Sequence, residues 1–151
     1  MITKNIFDEK ANQVLVERLE KITPDSKPLW GKMNACQMVK HCQKPLDVAE
    51  GKLKVKRGLL GMLFGKMAKN NFLKKDEFKK NLPTLSEFKI KETPDFENEW
   101  QVLVAIVKDF GKKGPKVIAN KTHPLFGEMT DEEWGILQYK HLDHHLKQFG
   151  E

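Results

Sequence analysis

"MTDEEWGILQYKHLDHHLKQFG", residues 129–150, decides how the rest of the chain is read. Thr130 followed three residues later by Glu133 forms a capping box, and Asp131 and Glu132 put negative charge where a helix dipole favours it. The spacing predicts one helix from this cap to about Phe149, with Gly150 near its end. Set out at about 100° per residue, Trp134, Leu137, His144, His145 and Gln148 fall within about 60° of His141. Lys140, Asp143 and Lys147 fall on other sides. Three of the chain's five histidines thus share the stripe that should face the core. His141 and His145, one turn apart, can bring both rings to one metal ion. His144 lies on the flank, as a hydrogen-bond partner or at the mouth of a site. Buried histidines with separate polar partners would give the same pattern, so a metal site needs a further ligand from elsewhere.

The second helix supplies the candidate. Asn34 with Gln37 three residues on resembles a capping box, and the helix runs through "ACQMVKHCQKPLDVAEG" (35–51). Gly51 is its stop, and Pro45 inside it should kink it or distort the preceding turn. On its wheel, His41 shares an inward stripe with Asn34, Gln37, Met38 and Val48. One imidazole from this helix could face two from the last, as facing helices build sites in di-metal bundles. Three histidines without a thiolate would leave positions open for water or substrate, the pattern of a catalytic site. Histidine binds metal only when neutral, so affinity should fall below roughly pH 6.5. Separate core histidines with local partners remain the alternative.

The remaining segments are also helical by pattern. Phe7, Val14, Leu15, Leu19 and Ile22 recur at helical spacing over about 6–22, and Pro24 and Pro28 close that segment. Residues 58–70, "GLLGMLFGKMAKN", form a shorter apolar helix with two internal glycines, followed by a loop rich in Lys, Asn and Pro. "VLVAIV" (102–107) could pass for a buried strand, but its acidic start, basic end and length favour a helix over about 94–110. Thr93 would cap it, with Pro94 in the first turn and Gly111 as its stop. No segment alternates with period two. The fold class is therefore all-α, a bundle of four principal helices in a single domain, 1–151.

At 39% hydrophobic and 32% charged, the chain has the composition of a folded globule and not of a disordered one. No apolar run approaches the roughly 20 residues of a membrane span, and the N-terminus lacks a signal-peptide pattern. The cytoplasm is the expected compartment. Cys36 and Cys42 lie six apart on one helix, a poor geometry for a disulfide, and are read as reduced thiols outside the site. The net charge of +6 is uneven: residues 52–80 carry ten basic side chains against Asp76 and Glu77, or +8, leaving −2 for the rest. That segment reads as a cover helix and loop with solvated lysines. The competing reading is a basic module that meets an anionic surface.

Three stretches, "WGKMNACQMVKHC" (30–42), "HPLFGEMTDEEW" (123–134) and "KHLDHHLKQFG" (140–150), resemble the DinB-like superfamily, with its YfiT-like and bacillithiol- or mycothiol-dependent transferase branches. The resemblance covers most of the chain in order, and the final HxxHHxxQ pattern is its most specific part. It implies an up-down-down-up four-helix bundle, here with an extra short helix. It also implies one divalent metal held by one histidine of the second helix and two of the last, and such a histidine-rich, open site suits zinc or nickel. Carried over by position, these are His41, His141 and His145. His144, Gln148, His123 and Gln37 are candidates for the surrounding shell or pocket. His123 is read as structural, and Gln148 as a residue that could orient an imidazole or a bound water.

Some relatives use a low-molecular-weight thiol. No substrate-pocket motif carries that activity over, so the catalytic residues stay unassigned. The reading is a metal-dependent thiol S-transferase or hydrolase acting on a small molecule, with a non-catalytic metal-binding or basic interaction module as the alternative. Neither nucleic acid nor a membrane is expected as partner, and a homodimer is an expectation taken from the relatives.

Overall fold

The computed structural model describes residues 3–151. The chain is predominantly helical, as expected. Helix α1 spans Glu9–Leu19, shorter than the pattern predicted, because Asp8 caps it by accepting from the Ala11 amide at 2.8 Å. Ile6 and Ile22 flank the helix but are still buried. Val14 points outward at 44% exposure, while Leu15 and Leu19 are fully buried, so the inward stripe is narrower than the sequence count suggested.

The second helix is broken in two, α2 over Ala35–His41 and α3 over Gln43–Ala49, with Cys42 between them. Pro45 explains the break: it has no N–H to give the carbonyl of His41, four residues back, and its ring crowds that turn. The Asn34–Gln37 capping box is present in both directions. Asp47 carbonyl contacts from Lys52 and Leu53 carry the chain past Gly51.

Helix α4 spans Leu59–Lys74, longer than expected. It covers the molecule with its small residues. Gly61 and Gly65 are buried against the carbonyls of Pro124 and Leu125, and a Cβ on Gly65 would collide with the Leu125 oxygen. The large apolar side chains of its first turns face outward. The cover-helix reading therefore holds for the glycine face alone. The far end of α4 is capped from another element: Lys140 Nζ donates to the carbonyls of Phe72, Leu73 and Lys75 at 3.2, 3.1 and 2.6 Å.

Helix α5 spans Phe96–Lys113, and "VLVAIV" is helical. Its cap is Asp95, which accepts from the Asn98 amide at 2.9 Å, in place of Thr93. The helix passes through Gly111 and ends at Gly114, where φ is +65°. Gly111 instead lets α1 approach: a Cβ there would meet the Asn12 amide group at 2.5 Å. Asn12 spends that closeness on two buried bonds, to the carbonyls of Ile6 and Val107 at 3.0 and 2.8 Å. Helix α6, Asp131–Gln148, has the predicted Thr130–Glu133 box. Before it lies an unpredicted antiparallel pair, β1 (Thr122–His123) and β2 (Gly127–Glu128), too short for alternation to show.

Helix α5 packs on α1 and α2, α6 packs on α1 and α3, and α4 lies across α6 and the hairpin. The core between them is built on Trp134, Phe110, Met38, Leu46, Leu103, Leu142 and Leu146, all fully buried. Each such side chain contributes about 1.5–3 kcal/mol by leaving water. Arg18 ties α1 to α6 through Asp143, N to O 2.7 Å, and through the Glu151 carbonyl at 2.9 Å. These contacts seat the last two turns of α6 beside the end of α2.

Candidate metal centre

His41 is the last residue of α2, and the break after it leaves its ring directed at the neighbouring helix α6. There His141 and His145 stand one turn apart. The Nε2 atom of His41 lies 3.2 Å from Nε2 of His141 and 3.1 Å from Nε2 of His145. All three nitrogens fall within 4.8 Å of one another, so the cluster could hold a metal ion.

The opposite ring nitrogens fix what those Nε2 atoms are. His41 Nδ1 lies 2.8 Å from the carbonyl of Phe88, which can only accept, so Nδ1 carries the proton and Nε2 is a bare lone pair. His145 Nδ1 lies 2.8 Å from Gln148 Oε1, while Gln148 Nε2 donates to the Trp30 carbonyl at 2.9 Å. The amide orientation is thereby set, and His145 Nε2 is bare as well. Two lone pairs 3.1 Å apart repel unless a cation or a shared proton sits between them. Nitrogens about 2.0–2.1 Å from a tetrahedral ion are separated by roughly 3.3 Å, close to the spacing here. The donor set and its spacing fit a divalent ion. His141 differs from the other two, because its Nδ1 is buried with no hydrogen-bond partner among the described residues.

Burial keeps the cluster neutral. It lowers His41 below the usual imidazole range against a smaller opposing effect of the Phe88 carbonyl, and it pushes His145 down to about 3. His141 is held well below its ordinary value by burial and then by His145, His41 and His144. Proton competition for the ligands therefore begins at lower pH than free histidine would suggest.

The other candidates line the same cleft, which has a volume of about 1060 Å³. His144 is not among the converging nitrogens; its ring centroid lies 5.6 Å from that of Trp30 and 5.4 Å from that of Phe78. Gln37 completes the α2 cap and donates to the Glu92 carbonyl at 3.2 Å. His123 stands apart from the triad, stacked on Phe126 with centroids 4.7 Å apart. Its Nδ1 accepts from the amides of Leu125 and Phe126 at 3.0 and 3.1 Å, so it organises the hairpin turn. Burial, then the charge of Arg57, lowers it to about 4. Cys42 is buried and its thiol is pushed up by burial, which makes it a poor nucleophile.

Sequence reasoning missed what the 75–95 loop does. It supplies the Phe88 carbonyl through a short 3-10 turn at Ser86–Phe88, and Phe78 and Phe88 form part of the cleft wall. The available signal was phenylalanine inside an otherwise polar, lysine-rich loop. A backbone carbonyl has no sequence signal at all.

Residues 6–151 match a sequence family described as "Protein of unknown function (DUF1569)". No curated protein and no solved structure matches the chain. The match spans nearly the whole sequence, so the chain belongs to this family.

Proposed function

We propose, from the premise of DUF1569 membership, that this protein is a DinB-like metalloprotein, a single four-helix-bundle domain whose centre is His41, His141 and His145. The observation that carries the reading is the pair of bare Nε2 lone pairs, His41 and His145, facing each other at 3.1 Å. Three neutral imidazoles suit zinc or nickel. A divalent ion bound there would lower the pKa of a water or a thiol, making hydroxide or thiolate available near neutral pH.

The chain's own residues prepare that chemistry. The Phe88 carbonyl and Gln148 hold two rings in the tautomer that points Nε2 inward. Trp30, Phe72 and Phe78 line the cleft with apolar surface that limits water around the ligands. Lys32, Lys75, Lys79, Lys89 and Lys91 line it with positive charge against Glu77. A small organic molecule with an acidic group is the substrate class such a wall favours. The reaction class is thiol transfer or hydrolysis, with a low-molecular-weight thiol as candidate cosubstrate; the sequence composition adds the cytoplasm to the reading, and the resemblance adds a homodimer.

The test is elemental analysis of protein purified without a histidine tag. We expect about one equivalent of zinc or nickel per chain, and its loss in His41→Ala. Wild-type metal content in that variant would sink the triad. A screen with thiol cosubstrates and ester or amide substrates then separates transferase from hydrolase, and a metal-loaded protein inert to both is a non-catalytic metal binder.

A further inference from the structure

Helix α4 is turned inside out relative to an ordinary surface helix. Its buried positions are Gly61 and Gly65, while Leu59, Leu60, Met62, Leu63, Phe64 and Met67 are exposed by 52% or more each. An ordinary globular helix hides such residues, and an exposed apolar cluster of this kind marks an interaction surface. The charge around it is one-sided. From Gly51 to Lys75 the chain carries eight basic residues and no acidic one. In the stretch leading into the helix, Lys52, Lys54 and Lys56 are exposed, while Leu53 and Val55 between them pack on the core. Among the described residues, Lys54, Lys56 and Lys66 have no ion-pair partner, whereas Lys52 and Lys69 are paired with Glu50 and Glu133.

We propose that residues 52–67 dock on an anionic lipid surface, with the apolar side chains of α4 seated among the acyl chains and the lysines at the headgroups. The exposed apolar side chains belong to one helix face, which suits an interfacial contact. Among the described residues no helix is long and apolar enough to cross a membrane, and the proposed contact is a peripheral one. A second copy is the weaker occupant, because a two-fold contact through this face would bring like charges together. Nucleic acid would satisfy the lysines but leave six large apolar side chains against phosphates. This inference is independent of the metal centre, since Leu63, Phe64, Lys54, Lys56 and Lys66 do not line the cleft.

The experiment is flotation of the full chain with vesicles of phosphatidylcholine alone and of equal parts phosphatidylcholine and phosphatidylglycerol. Expected is capture by the anionic vesicles only, weakened by salt. Two variants, Leu63→Glu with Phe64→Glu and Lys54→Glu with Lys56→Glu and Lys66→Glu, should each bind at least about tenfold less. Both should keep wild-type circular dichroism and metal content, because all five positions are exposed. No capture, equal capture by neutral vesicles, or binding that survives Leu63→Glu with Phe64→Glu overturns the proposal. So does self-association in sedimentation that Leu63→Glu abolishes, or duplex DNA binding tighter than vesicle binding.

Discussion

A single side-chain amide decides how His145 presents itself. Gln148 accepts from His145 Nδ1 and is itself anchored on the Trp30 carbonyl. Gln148→Ala should weaken zinc binding by about 10–100-fold in a chelator competition while the fold is kept, the usual cost of losing such a partner. His123 makes the opposite kind of prediction, one of stability. Its folded pKa of about 4 lies below the free value, so the unfolded chain binds the extra proton first. Its contribution is complete above about pH 6.5 and is lost as pH falls towards 4, at most roughly 3.5 kcal/mol. His123→Asn, which can accept the same two turn amides, should flatten that part of the stability-against-pH curve in urea titrations. At this scale the sequence singled out His141 and His145, because an i, i+4 spacing on a core-facing stripe is a geometric fact, and the structure brings both next to His41. It was silent about the Phe88 carbonyl and misjudged Lys140, placed off the inward stripe yet buried on three carbonyls of α4.

Among the elements, α4 is the most exposed to single changes at its contacts. Lys140→Met removes three charge-assisted bonds to the end of that helix and should cost about 1–3 kcal/mol in denaturant unfolding. Amide exchange should quicken at residues 70–75 before it does elsewhere. Gly65→Ala forces a methyl onto the Leu125 carbonyl and should destabilise by about 1–3 kcal/mol, whereas Gly61→Ala, with 3.1 Å to the same carbonyl, should cost less. The order of those two variants checks which face of α4 is buried. Helices α5 and α6 were legible because a charge gradient and a long apolar period agreed in each, although only α6 starts at the expected cap. The end of α5 was not, because Gly111 looks like a stop signal and instead serves the approach of Asn12. The short β pair was invisible for a similar reason: two residues per strand have no period to read.

Across the whole molecule, the triad joins residues a hundred positions apart, His41 with His141, at the meeting of α2 and α6. A metal that binds only this folded arrangement must stabilise it, so a chelator should lower Tm and added zinc should restore it; at a hundredfold excess over Kd the gain is about 2.7 kcal/mol. His41→Ala should show no such response in a thermal melt. The predominantly helical character was readable from hydrophobic stripes, whereas the outward face of α4 was not, since a wheel gives the width of an apolar arc but not which side is covered. The bond from His41 to Phe88 carries a last consequence, for time and not for affinity. One of the three rings takes its tautomer from a 3-10 turn in a loop, and such turns open faster than the helices around them. Metal should therefore leave at the pace of that turn's opening, so that a change at Ser86 or Glu87, neither of them a ligand, can shorten the residence time of the ion while all three histidines stay in place.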